Sequence, residues 1–341
     1  MIDRGPPKAW RFGLLLLGLA NLTVMACGRS AAGSREPNAA AARASGNPFA
    51  ATEIYRAPYS NAENVERQLQ RSNPAEAALI AKIARTPQAS WYGGWSADIE
   101  TVVSNYVNAA ERAGQLPVLV AYNVPNRDCG QYSAGGASDS NAYLKWIEGF
   151  REGIAERPAV VVLEPDALPL LAECLSPEDQ LKRLELIRSA VQVFGRSPGV
   201  SVYIDAGHSQ WVSAAEMADR LKQAGIAEAR GFALNTSNYR SDAESIAYGK
   251  QIVSALGVDT HFVIDSSRNG NGPAPESEES WCNPEGRALG RPPTADTGEP
   301  ALDAYLWIKR PGESDGECKG GPAAGQWFQA RAVEMARNAV W

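Results

Sequence analysis

The feature that most constrains this chain is a repeated ending. Six short apolar runs of strand length each stop on a polar or charged residue, and segments with helical spacing separate them. Val118-Leu119-Val120-Ala121 runs into Tyr122-Asn123, and Val160 to Leu163 runs into Glu164 and Asp166. Val200 to Ile204 ends in Asp205, Phe232-Ala233-Leu234 in Asn235, Phe262-Val263-Ile264 in Asp265, and Ala304 to Ile308 in Lys309. Apolar spacing and Pro/Gly punctuation predict helices over Pro74–Arg85, Ala97–Ala113, Ser138–Glu156, Pro177–Phe194, Ser213–Gln223, Ser241–Leu256 and Gln326–Asn338. Buried strands alternating with helices build a parallel sheet, and a β/α barrel carries its chemistry at the C-terminal ends of its strands. The expected fold is therefore α/β, a parallel β/α barrel, with a doubly wound open sheet as the alternative.

The ending after Leu163 is the most constrained. Glu164 and Asp166 stand between Pro165 and Pro169. Proline fixes its own φ and disfavours helical geometry in the residue before it, so Glu164 is expected to be extended and the turn at Asp166 stiff. Alone, such acids could simply solvate a strand end.

The totals exclude several classes. Net charge is −6 with no Lys/Arg block, which argues against nucleic acid or an anionic membrane surface as partner. The chain has two histidines, His208 and His261, and no HExxH, CxxC pair or phosphate-cradling glycine loop, so no metal or nucleotide cofactor is expected. Nine tryptophans and eleven tyrosines can supply flat apolar surface of the kind that binds sugar rings.

Residues 1–27 read as an export signal. Arg4, Lys8 and Arg11 precede an apolar stretch, Leu14 to Met25, that is too short to span a bilayer. Val24-Met25-Ala26-Cys27 offers two readings: a lipoprotein site acylated on Cys27, or plain cleavage near Ala26. Both place the mature protein outside the cytoplasm. Residues 28–46 are Ala/Gly/Ser-rich and read as a tether, with one domain over 47–341. The four cysteines after Cys27 allow three pairings.

The rim chemistry is carboxylate chemistry: Asp128, Glu164, Asp166, Asp205, Asp265, Glu313 and Asp315. Gly207-His208-Ser209-Gln210-Trp211 lacks the closing glycine of a nucleophile elbow. Carboxylate pairs beside aromatics suit glycoside hydrolysis, in which one acid protonates the leaving oxygen and, in an inverting enzyme, a second carboxylate activates water. The acid must hold its proton near neutral pH, through burial or a neighbouring acid. Asp265 reads as a structural cap, and Trp95 and Trp146 as packing residues. The stretch from Arg268 to Asp296, with Glu276, Glu278 and Glu279, reads as a solvated loop.

Tyr122-Asn-Val-Pro125-Asn-Arg127-Asp128-Cys129 with Ser133-Ala134-Gly135-Gly136 resembles the first signature of glycoside hydrolase family 6, the cellulases, and Leu163-Glu164-Pro165-Asp166-Ala167-Leu168-Pro169 resembles the second. Similar blocks follow in the same order: Asp205-Ala-Gly207-His208, Asn235-Thr-Ser-Asn238-Tyr239, Trp281-Cys282-Asn283, and Trp307-Ile-Lys309-Arg-Pro311-Gly312-Glu313-Ser-Asp315-Gly316. The resemblance implies an incomplete, distorted β/α barrel that hydrolyses β-1,4-glucosidic bonds with inversion. It implies Asp166 as general acid, Asp128 as the neighbour that raises its pKa, Asp315 as base, and Tyr122 against the distorted sugar ring. It also implies Asp205, Lys309 and Glu313 as ligands of glucose hydroxyls, with Lys309 able to pair with Glu313. Trp91, Trp211 and Trp281 would be stacking platforms, with His208 and Asn235 as polar contacts. Bridges Cys129–Cys174 and Cys282–Cys318 are implied in the same way. A tryptophan that some members carry shortly after Trp211 is absent, with Ala214 in that region, so one outer subsite is in doubt. The expected activity is that of a secreted, monomeric endo-β-1,4-glucanase on cellulose and related glucans. The alternatives are an exo-acting cellobiohydrolase and a non-catalytic glucan-binding protein.

Overall fold

A computed structural model describes residues 46–275 and 280–341. The signal, tether and Cys27 readings, and Glu276, Glu278 and Glu279, lie outside the described residues. Seven strands form one sheet in the order of the chain, β1(Ser90–Tyr92), β2(Val118–Ala121), β3(Ala159–Leu163), β4(Val200–Asp205), β5(Gly231–Leu234), β6(His261–Asp265) and β7(Leu302–Leu306). Every pairing is parallel. Sequential order with no reversal excludes the doubly wound alternative, whose sheet grows in two directions from a switch point.

The β-branched runs look continuous in sequence because both strand faces are buried, and the two faces sort by period two. Leu119, Ala121, Val161, Leu163, Val202 and Ile204 face outward into the layer shared with the helices. Val118, Val120, Val160, Val162, Ala233, Val263 and Ala304 face inward and fill the barrel interior. The sheet does not close by a strand ladder between β1 and β7. Two hydrogen bonds span the gap instead: the Ala89 amide donates to Trp307 O at 2.9 Å, and Trp91 Nε1 donates to Ile308 O at 2.7 Å.

The helices are α1(Asn61–Ser72), α2(Pro74–Ala84), α3(Ile99–Ala113), α4(Ser140–Ile154), α5(Leu171–Cys174), α6(Pro177–Phe194), α7(Ala214–Gln223), α8(Asp242–Leu256) and α9(Gln329–Asn338). Helix α3 shows the logic of the outer layer. Asp98 caps its N-terminus through the Thr101 amide, and Ile99, Val103, Val107 and Ala110 recur on one buried face. The seven expected helices all form, and Ser213 and Ser241 are the N-caps of α7 and α8. Helices α1 and α5 and strand β1 are additions to the sequence reading. Apolar residues of α1, α2 and α9 pack with Leu289 and Trp307 in a third cluster behind β7. Of the two tryptophans read as packing, Trp146 does pack on the outer core, edge-on to Phe150 at 5.4 Å.

Candidate active site

A cleft of about 790 Å³ opens at the C-terminal ends of the strands, lined by Trp91, Tyr122, Asp128, Asp166, Trp211, Trp281, Lys309, Glu313 and Asp315 among others. The loop after β3 delivers Asp166 through two unusual backbone positions, Glu164 at φ 50° and Asp166 at φ 68°. The extended geometry expected for Glu164 is therefore wrong. Left-handed backbone at a non-glycine costs about 1–3 kcal/mol and needs surrounding structure to hold it. Here that structure is a set of hydrogen bonds. The Glu164 amide donates to Ala121 O at 2.8 Å, and its carboxylate accepts from the amides of Asn123 at 2.9 Å and Val124 at 3.0 Å. Glu164 is thus a strut from β3 to the loop after β2. Burial pushes its pKa up to about 7 against the lowering effect of those amides.

Asp166 sits among acids. Its amide donates to Asp205 Oδ1 at 3.0 Å, and the Gly207 amide donates to the same oxygen at 3.0 Å. Burial raises the Asp166 pKa well above the carboxylate range, and Asp205 and then Asp128 raise it further. Asp128 is the neighbour expected to act on it, but Asp205, expected to bind sugar hydroxyls, is the larger influence. Asp128 itself is pushed up by burial, while the Ser133 amide, donating at 2.7 Å, and Arg127 pull it down.

The loop bearing Asp128 is held from inside. Arg127 donates to the carbonyls of Tyr122 at 2.8 Å, Ser133 at 2.8 Å and Ala134 at 3.0 Å, and its guanidinium lies 4.6 Å from the Tyr122 ring. Tyr122 meets Trp91 edge-on at 5.3 Å. The bridge Cys129–Cys174 ties this loop to α5, and Cys282–Cys318 ties the loops around Asp315, the pairing that the resemblance implied. From α6, the buried Arg183 clamps the same region, donating to Pro125 O at 2.6 Å.

Asp315 has the opposite surroundings. Arg268 Nη1 donates to both its oxygens, at 2.8 and 2.9 Å, and Lys309 Nζ lies 3.4 Å away. The Asn283 amide at 3.0 Å and the Tyr239 hydroxyl at 3.2 Å also donate to it. Although burial alone would raise its pKa, Arg268 and Lys309 hold it below the usual range. Lys309 pairs with Asp315, not with Glu313, whose cation is Arg310 at 3.3 Å. Arg268 is 2 % exposed, and Cys282, Asn283, Ala288 and Leu289 are buried too. The stretch from Arg268 to Asp296 is therefore not simply a solvated loop, since part of it forms the wall that neutralises Asp315.

Other expected ligands divide. Asp205 and Asn235 are both 0 % exposed, so neither presents surface to a sugar. Asn235 instead donates to Asp265 O at 2.8 Å and accepts from the Arg240 amide. Asp265 is structural as expected, accepting from the amides of Ser237, Ser267, Ile308 and Lys309. His208 lines the cleft with its ring centroid 5.1 Å from that of Trp211, and burial lowers its pKa to about 4, so it is neutral at pH 7. Trp211 is anchored by Nε1 donating to Glu173 at 2.8 Å. Trp281 lies 5.9 Å from Tyr132, whose ring also packs on Gly316, where a Cβ would fall 2.4 Å from it. Ala214 is the first residue of α7 and packs against the outer core. Trp95 does not fit its packing assignment, being 58 % exposed on the cleft wall.

Arg268, Arg127, Arg183 and Glu173 were given no role by the sequence reading. Arg127 could have been found from its place in the quoted motif, next to Asp128, whereas Arg183 lies in a charged helix that gives no signal.

An open parallel half-barrel whose rim gathers carboxylates, aromatics and two stapled loops defines a class of carbohydrate-active barrel. The family model described as Glycosyl hydrolases family 6 matches residues 49–339, and the chain belongs to that family. Endoglucanase A of Cellulomonas fimi is 48% identical over 277 residues, 81% of this chain and 59% of that protein. Endoglucanase 1 of Streptomyces halstedii is 44% identical over 288 residues, 81% of this chain and 87% of that protein. A probable 1,4-beta-D-glucan cellobiohydrolase C of Aspergillus clavatus is 30% identical over 359 residues, 86% of this chain and 76% of that protein. This chain thus spans about three fifths of the length of the Cellulomonas relative. The endoglucanase Cel6 of Mycobacterium tuberculosis, solved in complex with a methyl-cellobiosyl-thio-cellobioside, superposes with a TM-score of 0.82 at 44% identity, covering 87% of this chain and 100% of that one.

Proposed function

We propose that this chain is an inverting endo-β-1,4-glucanase acting on cellulose and related β-glucans. One observation carries the reading: Asp166 stands in an aromatic-walled cleft where burial and the neighbouring acids Asp205, Asp128 and Asp315 raise its pKa well above that of a free carboxyl. Asp166 gives its proton to the glycosidic oxygen as the bond to the anomeric carbon breaks. Water attacks that carbon from the opposite face, and its proton leaves toward Asp315. Asp315 is a weak base because two cations hold it ionised, so it takes the proton at the end of a water chain and stabilises positive charge on the sugar ring. Tyr122 presses on the ring at the cleavage point, Lys309 and Glu313 hold hydroxyls, and Trp91, Trp211 and Trp281 carry the flanking sugars, with His208 beside Trp211 as a polar contact. Asp205 acts through Asp166. Endo action is favoured because four relatives at 43–48% identity are all named endoglucanase, whereas at 28–30% the names are mixed, cellobiohydrolase with one putative endoglucanase. Two disulfides suit an exported protein; we read it as a monomer, either anchored by a lipid on Cys27 or released by cleavage near Ala26.

Proton NMR of cellohexaose hydrolysis tests this. The wild type should release the α-anomer first, and Asp166→Ala should lose about 10²–10⁴-fold in rate, the span of a general acid. Early β-anomer would overturn inversion. Rapid viscosity loss on carboxymethylcellulose separates endo from exo action. The full pairing of Asp315 also favours a second reading, a non-catalytic glucan-binding protein, which predicts cellohexaose binding without turnover at any pH.

A further inference from the structure

Trp95 is the feature of the cleft that the proposed mechanism leaves unused. It stands in a tight turn after β1, closed by the Ser96 amide donating to Gly93 O at 2.9 Å. Its ring lies directly on Gly93: a Cβ there would fall 2.5 Å from the six-membered ring of the indole and 2.7 Å from Tyr122 O. Residue 93 therefore has to be glycine for the indole to lie where it does. The Arg127 guanidinium sits 5.1 Å from the same ring and is immobilised by its three carbonyl acceptors. The indole is thus fixed by a turn, a glycine and a cation, and still leaves 58 % of its surface open.

Trp341 is also held and part open, at 42 % exposed with Nε1 donating to Gly290 O, but it does not line the cleft, and two others differ outright. Trp307 is 1% exposed, and Trp146 is packed on the outer core. An aromatic ring that packs only for stability would bury its large apolar area. A ring held rigid and left open has instead already lost the side-chain entropy that binding would otherwise cost. Its position limits what it can touch. The Arg127 guanidinium lies against both rings, 5.1 Å from that of Trp95 and 4.6 Å from that of Tyr122. We assign a sugar stacked on Trp95 to a unit further out than the one at Tyr122.

We propose that Trp95 is an additional stacking platform for the glucan chain, binding the apolar face of a pyranose outside the units flanking the scissile bond. The inference rests on the glucanase reading above. It makes Trp95 a specificity-determining residue whose contribution is felt only by chains long enough to reach it.

The test is calorimetric binding and steady-state hydrolysis of cellotriose through cellohexaose by the wild type, Trp95→Ala and Trp95→Phe. One aromatic stacking contact corresponds to about a 10-fold effect. Trp95→Ala should therefore weaken cellohexaose more than cellotriose by roughly that factor, mainly in KM, and Trp95→Phe should recover most of it. A loss equal at every chain length and carried by kcat would overturn the proposal and make Trp95 only a support for Arg127. Unchanged cellohexaose binding in Trp95→Ala would overturn it too. A wild type that binds none of the oligosaccharides would instead sink the glucanase reading itself.

Discussion

Asp166, half-buried, and Asp315, buried, are carboxylates at the rim of one cleft, and their surroundings drive them apart. Asp166 faces Asp205 and Asp128 and keeps its proton, while Asp315 faces Arg268 and Lys309 and gives it up. Burial raises both, so burial does not decide which is acid and which is anion. The neighbours decide, and they come from different parts of the chain. The acids that hold Asp166 protonated lie on the loops after β2 and on β4, where the strand endings deliver them. The cations around Asp315, Lys309 and Arg268, come from the loops that follow β7 and β6. A pair of environments that split two carboxyl pKa values is what acid and anion roles in glycoside hydrolysis require.

The largest effect should come from removing the cation. Arg268→Ala would leave Asp315 buried with Lys309 alone, and breaking a buried pair by deleting one partner costs about 3–5 kcal/mol. Losing a cation also raises the Asp315 pKa, so the acidic limb of the activity profile should move to higher pH. Denaturant melts together with kcat/KM against pH check both, and Arg268→Lys should recover part of each. An acidic limb that stays put in Arg268→Ala would mean that the charge on Asp315 does not govern the reaction, and the contrast between the two carboxylates would lose its functional meaning.

A smaller effect ranks the two acids beside Asp166. Removing either negative charge lowers the Asp166 pKa, so Asp166 ionises earlier and the basic limb of kcat/KM shifts to lower pH. Asp205 acts on Asp166 more strongly than Asp128 does, so Asp205→Asn should move that limb further than Asp128→Asn. The reverse order would return the principal role to Asp128, where the sequence alone had placed it.

That misranking shows where sequence reading stops. The six strand runs were visible because both faces of each strand are apolar, and the strand β1 was not, because Ser90-Trp91-Tyr92 is too short to show a period. Helix α1 buries only Ala62 and Glu66, so its apolar stripe is too thin to read, although Ser60 and Glu63 do form its N-terminal capping signal. In the site, Tyr122, Asp128 and Asp166 were legible from strand endings and motifs. Whether a polar residue at a strand end turns into the cleft or back into the sheet was not, and so Asp205 and Asn235 were assigned to sugar contact. Arg268 was missed because an ion pair, not apolar periodicity, buries it. Trp95 was misassigned because residue type says nothing of exposure.

Glu164 offers the finest test of the same contrast, because backbone amides oppose burial there more strongly than the one nearby cation, Arg183. Three hydrogen bonds from the Asn123 and Val124 amides favour its anion, yet burial outweighs them and its pKa rises from 4.5 to about 7. The sign follows from proton linkage. Between these two values the folded protein holds the proton that the unfolded chain has released, so the contribution to stability is full below pH 4.5 and is lost as pH rises through about 7. For a shift of this size the loss is on the order of 3 kcal/mol. Glu164→Gln cannot titrate, and a single carbonyl oxygen must serve both amides, so it should be the less stable protein at pH 5 by about 1–2 kcal/mol. Because only the wild type loses this contribution as the pH rises, and the loss exceeds the gap at pH 5, thermal melts of the two from pH 5 to pH 8 should converge and then cross. Parallel curves would mean that Glu164 is ionised throughout. Backbone amides would then rival Arg268 in holding a buried carboxylate charged, and Glu164 would belong with Asp315 rather than with Asp166.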